Sequence, residues 1–409
     1  MKNSKNDEQP QTQNKNEENT NSKNFCFMAL NTTKQIIDTL KENYVFRLNL
    51  GNQKAEFHKI NESEFRELTE IEFNSIKVDL NMKDIPCSKD TLKAIIFSDK
   101  WEQYNPYMKF IEGLPLWDGH DYIADLAETV KTDDQEYWHW CLKKWLVAFI
   151  GSLEKDETVN QTAIILCGRQ GTGKTTWFRN ILPTELKKYS ASGFIDPKDK
   201  ETQVQLSELC LYNMDEVENL SPKNVEAIKE LITKPSMYLR RAYTTLSQNY
   251  VRHCSFCGTA NGINILHDIT GNRRFLCQNV LEMDYELKNI NLPQLYSQAH
   301  QLFLTGFKFW FEGEDLANVE IHNARFRATS AEEELVLTYF EPASDGEVGA
   351  KRLQACEIQN FLQRKSLGLR LSHVKIGKIL SSKGFISKKS SGISKWIVRE
   401  KLQIEDENN

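Results

Sequence analysis

No apolar run in the 409-residue chain approaches the roughly 18 residues that a membrane span requires, so a transmembrane protein is not expected. The first residues are polar and have no apolar centre, which excludes a secretory signal. The cysteines argue against a disulfide framework too. The nine cysteines are odd in number, scattered at positions 26, 87, 141, 167, 210, 254, 257, 277 and 356, and mostly set among apolar neighbours. That pattern suits reduced, buried thiols in a cytoplasmic protein. Cys254 and Cys257 form a C-x-x-C, but no second pair stands at zinc-ligand spacing, so both read as buried strand residues. No internal repeat is present. Neither sign of charge dominates overall, the net being −5.

The length implies two or three domains. Residues 1–24 contain no large apolar side chain beyond Met1 and read as a disordered polar tail. Residues 25–150 form an N-terminal region. Its first part, 25–100, is small and mixed, with a helix at TTKQIIDTLKENY and a hairpin around Gly51. Its second part, 101–150, is aromatic-rich and mostly helical, its tryptophans read as packing. Residues 151–330 alternate between apolar strands and amphipathic helices: QTAIILCG, TTWFRNIL, ELCLYNMDE, NVEAIKELIT, HCSFCGTAN and FLCQNV. Such alternation implies an α/β domain with a mainly parallel sheet.

The strongest motif in that region is Gly168-Arg-Gln-Gly171-Thr172-Gly173-Lys174-Thr175, which fits G-x-x-x-x-G-K-[ST] between a strand and a helix. Glycines let backbone N–H groups wrap phosphates, and the next helix presents its positive end. Lys174 is expected on the β- and γ-phosphates of ATP and Thr175 on Mg²⁺, with Thr176 beside them. The apolar strand ending in Asp215-Glu216 supplies a carboxylate for Mg²⁺, Asp215, and a candidate general base, Glu216. Thr259-Ala260-Asn261 ends another strand, where Asn261 suits a sensor of the γ-phosphate or the attacking water. Gly271-Asn272-Arg273-Arg274-Phe275 offers guanidinium groups for the charge of phosphoryl transfer, with either arginine able to act as a finger across a subunit interface. Between these motifs, Lys234, Arg240 and Arg241 are interleaved with Tyr238 and Tyr243, a pattern suited to single-stranded nucleic acid.

Residues 335–403 change character. From Lys351 to Lys401 there are thirteen Lys/Arg and two acids, Glu357 and Glu400, a net of 13 − 2 = +11. Two helical patterns precede two short strands around a basic Gly/Ser turn, the layout of a winged helix-turn-helix. Lys375, Lys378, Lys383, Lys388, Lys389 and Lys395 are its candidate phosphate contacts.

Taken together, the chain resembles the virulence-associated protein E family of phages, plasmids and chromosomal islands. The resemblance rests on Asn105-Pro106, Leu114-Pro-Leu-Trp117-Asp118-Gly119, the phosphate loop, Asp215-Glu216, Arg240 with Ala242-Tyr243, Thr259-Ala260-Asn261, and residues 271–275. Leu116 departs from a position often held by a second Trp. The resemblance implies a superfamily 3 helicase-like core of the AAA+ class, a DNA-associated ATPase replicating a mobile element, and a homo-oligomer, a ring hexamer. The first 100 residues lack the acidic triad and Cys/His clusters of the primase or zinc-finger domain that some relatives carry. A second reading keeps the ATP site but makes the protein a DNA-binding regulator or defence switch without unwinding. A metabolic kinase would leave the basic C-terminal region unexplained.

Overall fold

The computed structural model describes residues 32–240, 246–266, 271–366, 368–390 and 393–401. The polar tail, Cys26, Arg241 and Tyr243 lie outside the described residues. The chain divides after Lys109 into two compact units.

The smaller unit begins with helix α1 at residues 32–43. Strands β1 (Tyr44–Asn49) and β2 (Lys54–Lys59) follow as an antiparallel pair, in register from Tyr44↔Lys59 to Asn49↔Lys54. Their turn holds Gly51, whose N–H donates to Asn49 Oδ1 at 2.9 Å. Then come β3 (Arg66–Glu67), α2 (Glu70–Met82), α3 (Lys89–Ile96) and β4 (Glu102–Tyr104), which pairs parallel with β1. Thr69 and Glu72 form a capping box that starts α2. The helices cover one face of the sheet, with Leu40, Phe46, Phe57, Ile76, Leu80 and Leu92 as core.

Helix α4 (Pro106–Glu112) spans the division. The larger unit continues with α5 (Tyr122–Glu128), β5 (Val130–Thr132), α6 (Gln135–Glu154), β6 (Ala163–Cys167), α7 (Lys174–Asn180), α8 (Thr184–Lys187), β7 (Ser190–Gly193), α9 (Lys200–Leu206) and β8 (Leu211–Met214). After these stand α10 (Pro222–Thr233), β9 (Ser236–Leu239), β10 (Gln248–Val251), β11 (Ser255–Ala260), β12 (Phe275–Met283), α11 (Leu292–Leu304) and α12 (Glu314–Asn323). Six of these strands form one sheet in the order β5-β12-β6-β11-β8-β7. Neighbours are parallel from β12 to β7, and β5 is antiparallel at the edge. β6 and β11 are buried at every position, because helices cover both faces of the parallel sheet.

Three features differ from the sequence reading. α6, assigned above to the N-terminal region, packs on the sheet, and Trp145 Nε1 donates to Phe256 O at 3.1 Å. β5 and β7 were not expected. β7 reads Ser-Ala-Ser-Gly and carries no apolar signal, and β5 has three residues. Ser236–Leu239, between Lys234 and Arg240, form a strand that the sequence reading did not assign: β9 pairs antiparallel with β10, and Met237, Leu239 and Tyr250 enter the α/β core.

The C-terminal part comprises α13 (Ala331–Tyr339), β13 (Phe340–Pro342), β14 (Ala350–Leu353), α14 (Ala355–Lys365), α15 (His373–Ser382), β15 (Ile386–Ser390) and β16 (Ile393–Glu400). β16 pairs antiparallel with β14 along one edge and with β15 and β13 along the other. Val336, Phe340, Ile358, Leu362, Ile376, Ile379, Leu380 and Val398 form a separate small core.

Candidate functional site

The parallel strands β6, β11 and β8 end side by side, because Cys167 pairs with Ala260 and Gly258 with Met214. Every loop that leaves these ends therefore starts within reach of the others. The loop after β6 is anchored by Gly168 N–H, which donates to Ala260 O at 3.2 Å. Gly173 holds φ +91°, and a Cβ there would lie 2.2 Å from the Tyr285 ring. Gly168 has a Cβ position only 2.8 Å from Val280 O. Side chains at either position would open the loop.

Lys174 is 6% exposed. Its ammonium donates to Gly168 O at 3.0 Å, Arg169 O at 2.7 Å and Thr172 Oγ1 at 3.4 Å, all within the loop. Burial lowers its pKa, against which Cys167 and Glu218 act. No carboxylate forms an ion pair with it among the described residues. A buried cation held only by neutral oxygens keeps its charge available to an anion.

Asp215 Oδ1 accepts from Asn213 Nδ2 at 2.9 Å, Thr175 Oγ1 at 3.2 Å and Thr259 Oγ1 at 3.3 Å. Three segments thus meet on one carboxylate oxygen. A hydroxyl and a carboxylate this close form a hard oxygen pair, the donor type that Mg²⁺ takes. Thr172 and Thr176 are half-buried beside them, and Gly171, φ +82°, is exposed at the loop tip.

Glu216 stands in the left-handed region at φ +53° and is exposed. Its Oε2 accepts from Asn219 Nδ2 at 3.0 Å. The carboxylate that turns inward is Glu218, which sequence reasoning passed over because it lies outside the strand and its adjacent acid pair. Glu218 Oε1 accepts from the Asn261 N–H at 3.0 Å. Asn261 itself is exposed.

Arg273 and Arg274 precede β12, whose Phe275 pairs with Ala163 at the start of β6. They therefore lie at the opposite end of the sheet from residues 168–175, on the order of 15–20 Å along the strands. Arg273 is exposed, and Arg274 Nε is buried with no hydrogen-bond partner among the described residues. Neither arginine has an ion pair among the described residues. Both line a cavity of about 470 Å³ with Thr158, Asn160, Thr233 and Trp310.

The hairpin springs from that same end. Arg252, 1% exposed, fixes its base. The guanidinium donates to Lys234 O and Ile232 O, both at 2.7 Å, to Asn160 O at 3.3 Å, and to Cys254 O. Lys234 is half-buried, whereas Tyr238 and Arg240 point outward. Arg241 falls outside the described residues. Cys254 and Cys257 are buried in and beside β11, and burial pushes the Cys254 thiol up to about 12.

In the C-terminal part, three of the six candidate phosphate contacts are already engaged. Lys375 Nζ lies 2.9 Å from Glu332, Lys383 Nζ 2.7 Å from Glu333, and Lys388 Nζ 2.7 Å from Asp345. The acids lie upstream of residue 351, outside the basic window, and fold back onto these lysines. Lys378, Lys389 and Lys395 have no ion pair among the described residues. Lys378 and Lys389 are exposed, as are Arg364, Lys365 and Arg370.

The geometry is that of a mixed α/β chain with a loop-and-carboxylate site at the strand ends. Residues 111–328 match the family model of the virulence-associated protein E-like domain. The chain belongs to that family. No curated protein sequence matches it. Among solved structures it is similar to an apo structure of the NrS-1 C-terminal region, at 13% identity and a TM-score of 0.46, covering 89% of this chain and 97% of that one. A second, the A form of the same region, matches at 13% identity and a TM-score of 0.45, covering 89% and 98%. No helix among the described residues is long and apolar enough to cross a membrane.

Proposed function

We propose that the protein is a DNA-associated ATPase that serves replication of a phage or other mobile element, working as a helicase or initiator. One observation carries the reading. Lys174, Thr175, Asp215, Thr259 and Asn261 come from three separate motifs and gather at the ends of three adjacent parallel strands. The sheet order, with the β6 loop and the β8 acid on either side of β11, suits a P-loop ATPase of the AAA+ class.

Mg²⁺ and ATP fit this donor set. The metal would offset charge on the phosphates. Lys174 would exchange the carbonyls of Gly168 and Arg169 for phosphate oxygens. Thr175 and Asp215 would hold the cation, and Glu216 would take a proton from water once its carboxylate leaves Asn219. Arg273 and Arg274 are too distant to serve their own chain's loop, which favours a site completed by a second copy and hence a ring. The hairpin end, with Tyr238 and Arg240 exposed, suits a DNA strand. The helices α13, α14 and α15 with the strands around β16 suit a winged helix on duplex DNA.

The test is the ATPase rate with and without single-stranded DNA, in the parent and in Lys174→Ala. A DNA-stimulated rate that falls at least about 100-fold in the variant supports the motor. A slow rate indifferent to DNA, with no strand displacement on a fork, moves the reading to an ATP-gated regulator.

A further inference from the structure

We propose that Glu218 is a positioning residue of the hydrolytic site, fixing the Asn261 end of β11 beside the phosphate loop. The proposal rests on the ATPase reading and adds a residue that no motif contains.

The turn after β8 decides which acids face the site. Val217 is buried in that turn and pressed against β11. A Cβ on Gly258 would lie 2.9 Å from Val217 Cγ2, so the absence of a side chain at Gly258 is what lets the turn seat there. With Val217 pinned and Glu216 in the left-handed region, Glu216 turns out to Asn219 and Glu218 turns in. The Glu218 carboxylate then spans from the β8 turn to the tip of β11, reaching the Asn261 N–H at 3.0 Å.

Two further observations give this bond more than a packing role. Glu218 Oε2 is buried and has no hydrogen-bond partner among the described residues. A half-satisfied buried carboxylate marks a place kept for a donor. Asn261 has an exposed side chain with no hydrogen bond among the described residues, so its aim depends on how its backbone is held.

The experiment measures kcat and KM for ATP at saturating single-stranded DNA, with thermal melting alongside. The variants are Glu218→Ala, Glu218→Gln, Asn261→Ala, the Glu218→Ala/Asn261→Ala double, and Lys174→Ala. Glu218→Ala is expected to lower kcat about tenfold or more, with KM within about threefold. Glu218→Gln keeps an oxygen that can accept from Asn261 and should recover most of the rate. In the Asn261→Ala background, Glu218→Ala should cost little more, because it acts through that residue. Equal losses in both backgrounds, a Gln variant as inactive as Ala, or activity that only tracks lost melting temperature would overturn the proposal. A parent with Lys174-dependent turnover and an indifferent Glu218→Ala overturns this inference alone. A parent that hydrolyses no ATP overturns the functional reading and this one together.

Discussion

Lys174 and Arg252 are buried cations of the α/β region whose hydrogen bonds go to neutral oxygens, mainly backbone carbonyls. Lys375, Lys383, Lys388 and Arg399 are cations of the C-terminal region that sit on carboxylates. These two sets of side chains use positive charge differently. A carbonyl satisfies a donor without neutralising it, so the charge stays available to an anion or does structural work at close range. A carboxylate cancels most of the field, so an ion-paired lysine adds little to a phosphate-binding surface. A run of basic residues in a sequence is therefore a poor measure of the basic surface. In this chain half of the candidate phosphate contacts in the C-terminal part are matched by acids that the fold brings back from residues 332–345.

Unpaired cations should matter most, and Arg273 provides the sharpest test. It is exposed and without an acid among the described residues, whereas Arg274 is partly buried with an orphaned Nε. Arg273→Ala is expected to lower ATP turnover about 10²–10³-fold while ATP binding persists, as loss of a transition-state charge partner does. Fluorescent-nucleotide binding beside steady-state rates would show the split. An equal loss of binding would remove Arg273 from the finger role.

Arg252 tests the carbonyl-held class through stability. Arg252→Met removes four carbonyl contacts at the base of the hairpin and leaves those oxygens buried. A loss of about 3 kcal/mol is expected in urea unfolding. A loss below about 1 kcal/mol would mean that water replaces the guanidinium.

The smallest effect belongs to the C-terminal region. Lys378→Gln with Lys389→Gln should reduce the salt slope of duplex DNA binding by about 1–2. Lys375→Gln with Lys383→Gln should change it by less than about 0.5, because those charges already face Glu332 and Glu333. Equal slopes for the two pairs would break the comparison.

Much of the candidate site was legible in the sequence because glycine-rich loops and strand-end acids are local patterns. Glycines at 168, 171 and 173, Lys174 and Thr175 stand in one eight-residue stretch, and Asp215 ends an apolar run. Strands β6, β8, β11 and β12 were legible for the same reason, since burial on both faces leaves continuous apolar runs. β7 was not, because its Ser-Ala-Ser-Gly is a strand only through its pairing with β8. Glu218 was invisible because its role is a hydrogen bond to a residue 43 positions away.

The sequence by itself determined the elements that short-range chemistry dictates: the glycine-rich loop 168–175, the apolar strands, the helix caps and the basic C-terminal composition. Tertiary structure alone decided which charges remain unpaired, which acid turns inward after Asp215, and which end of the sheet carries Arg273. Those outcomes depend on contacts between residues tens to hundreds of positions apart. Strand order and turn geometry set such contacts, and no local pattern encodes them.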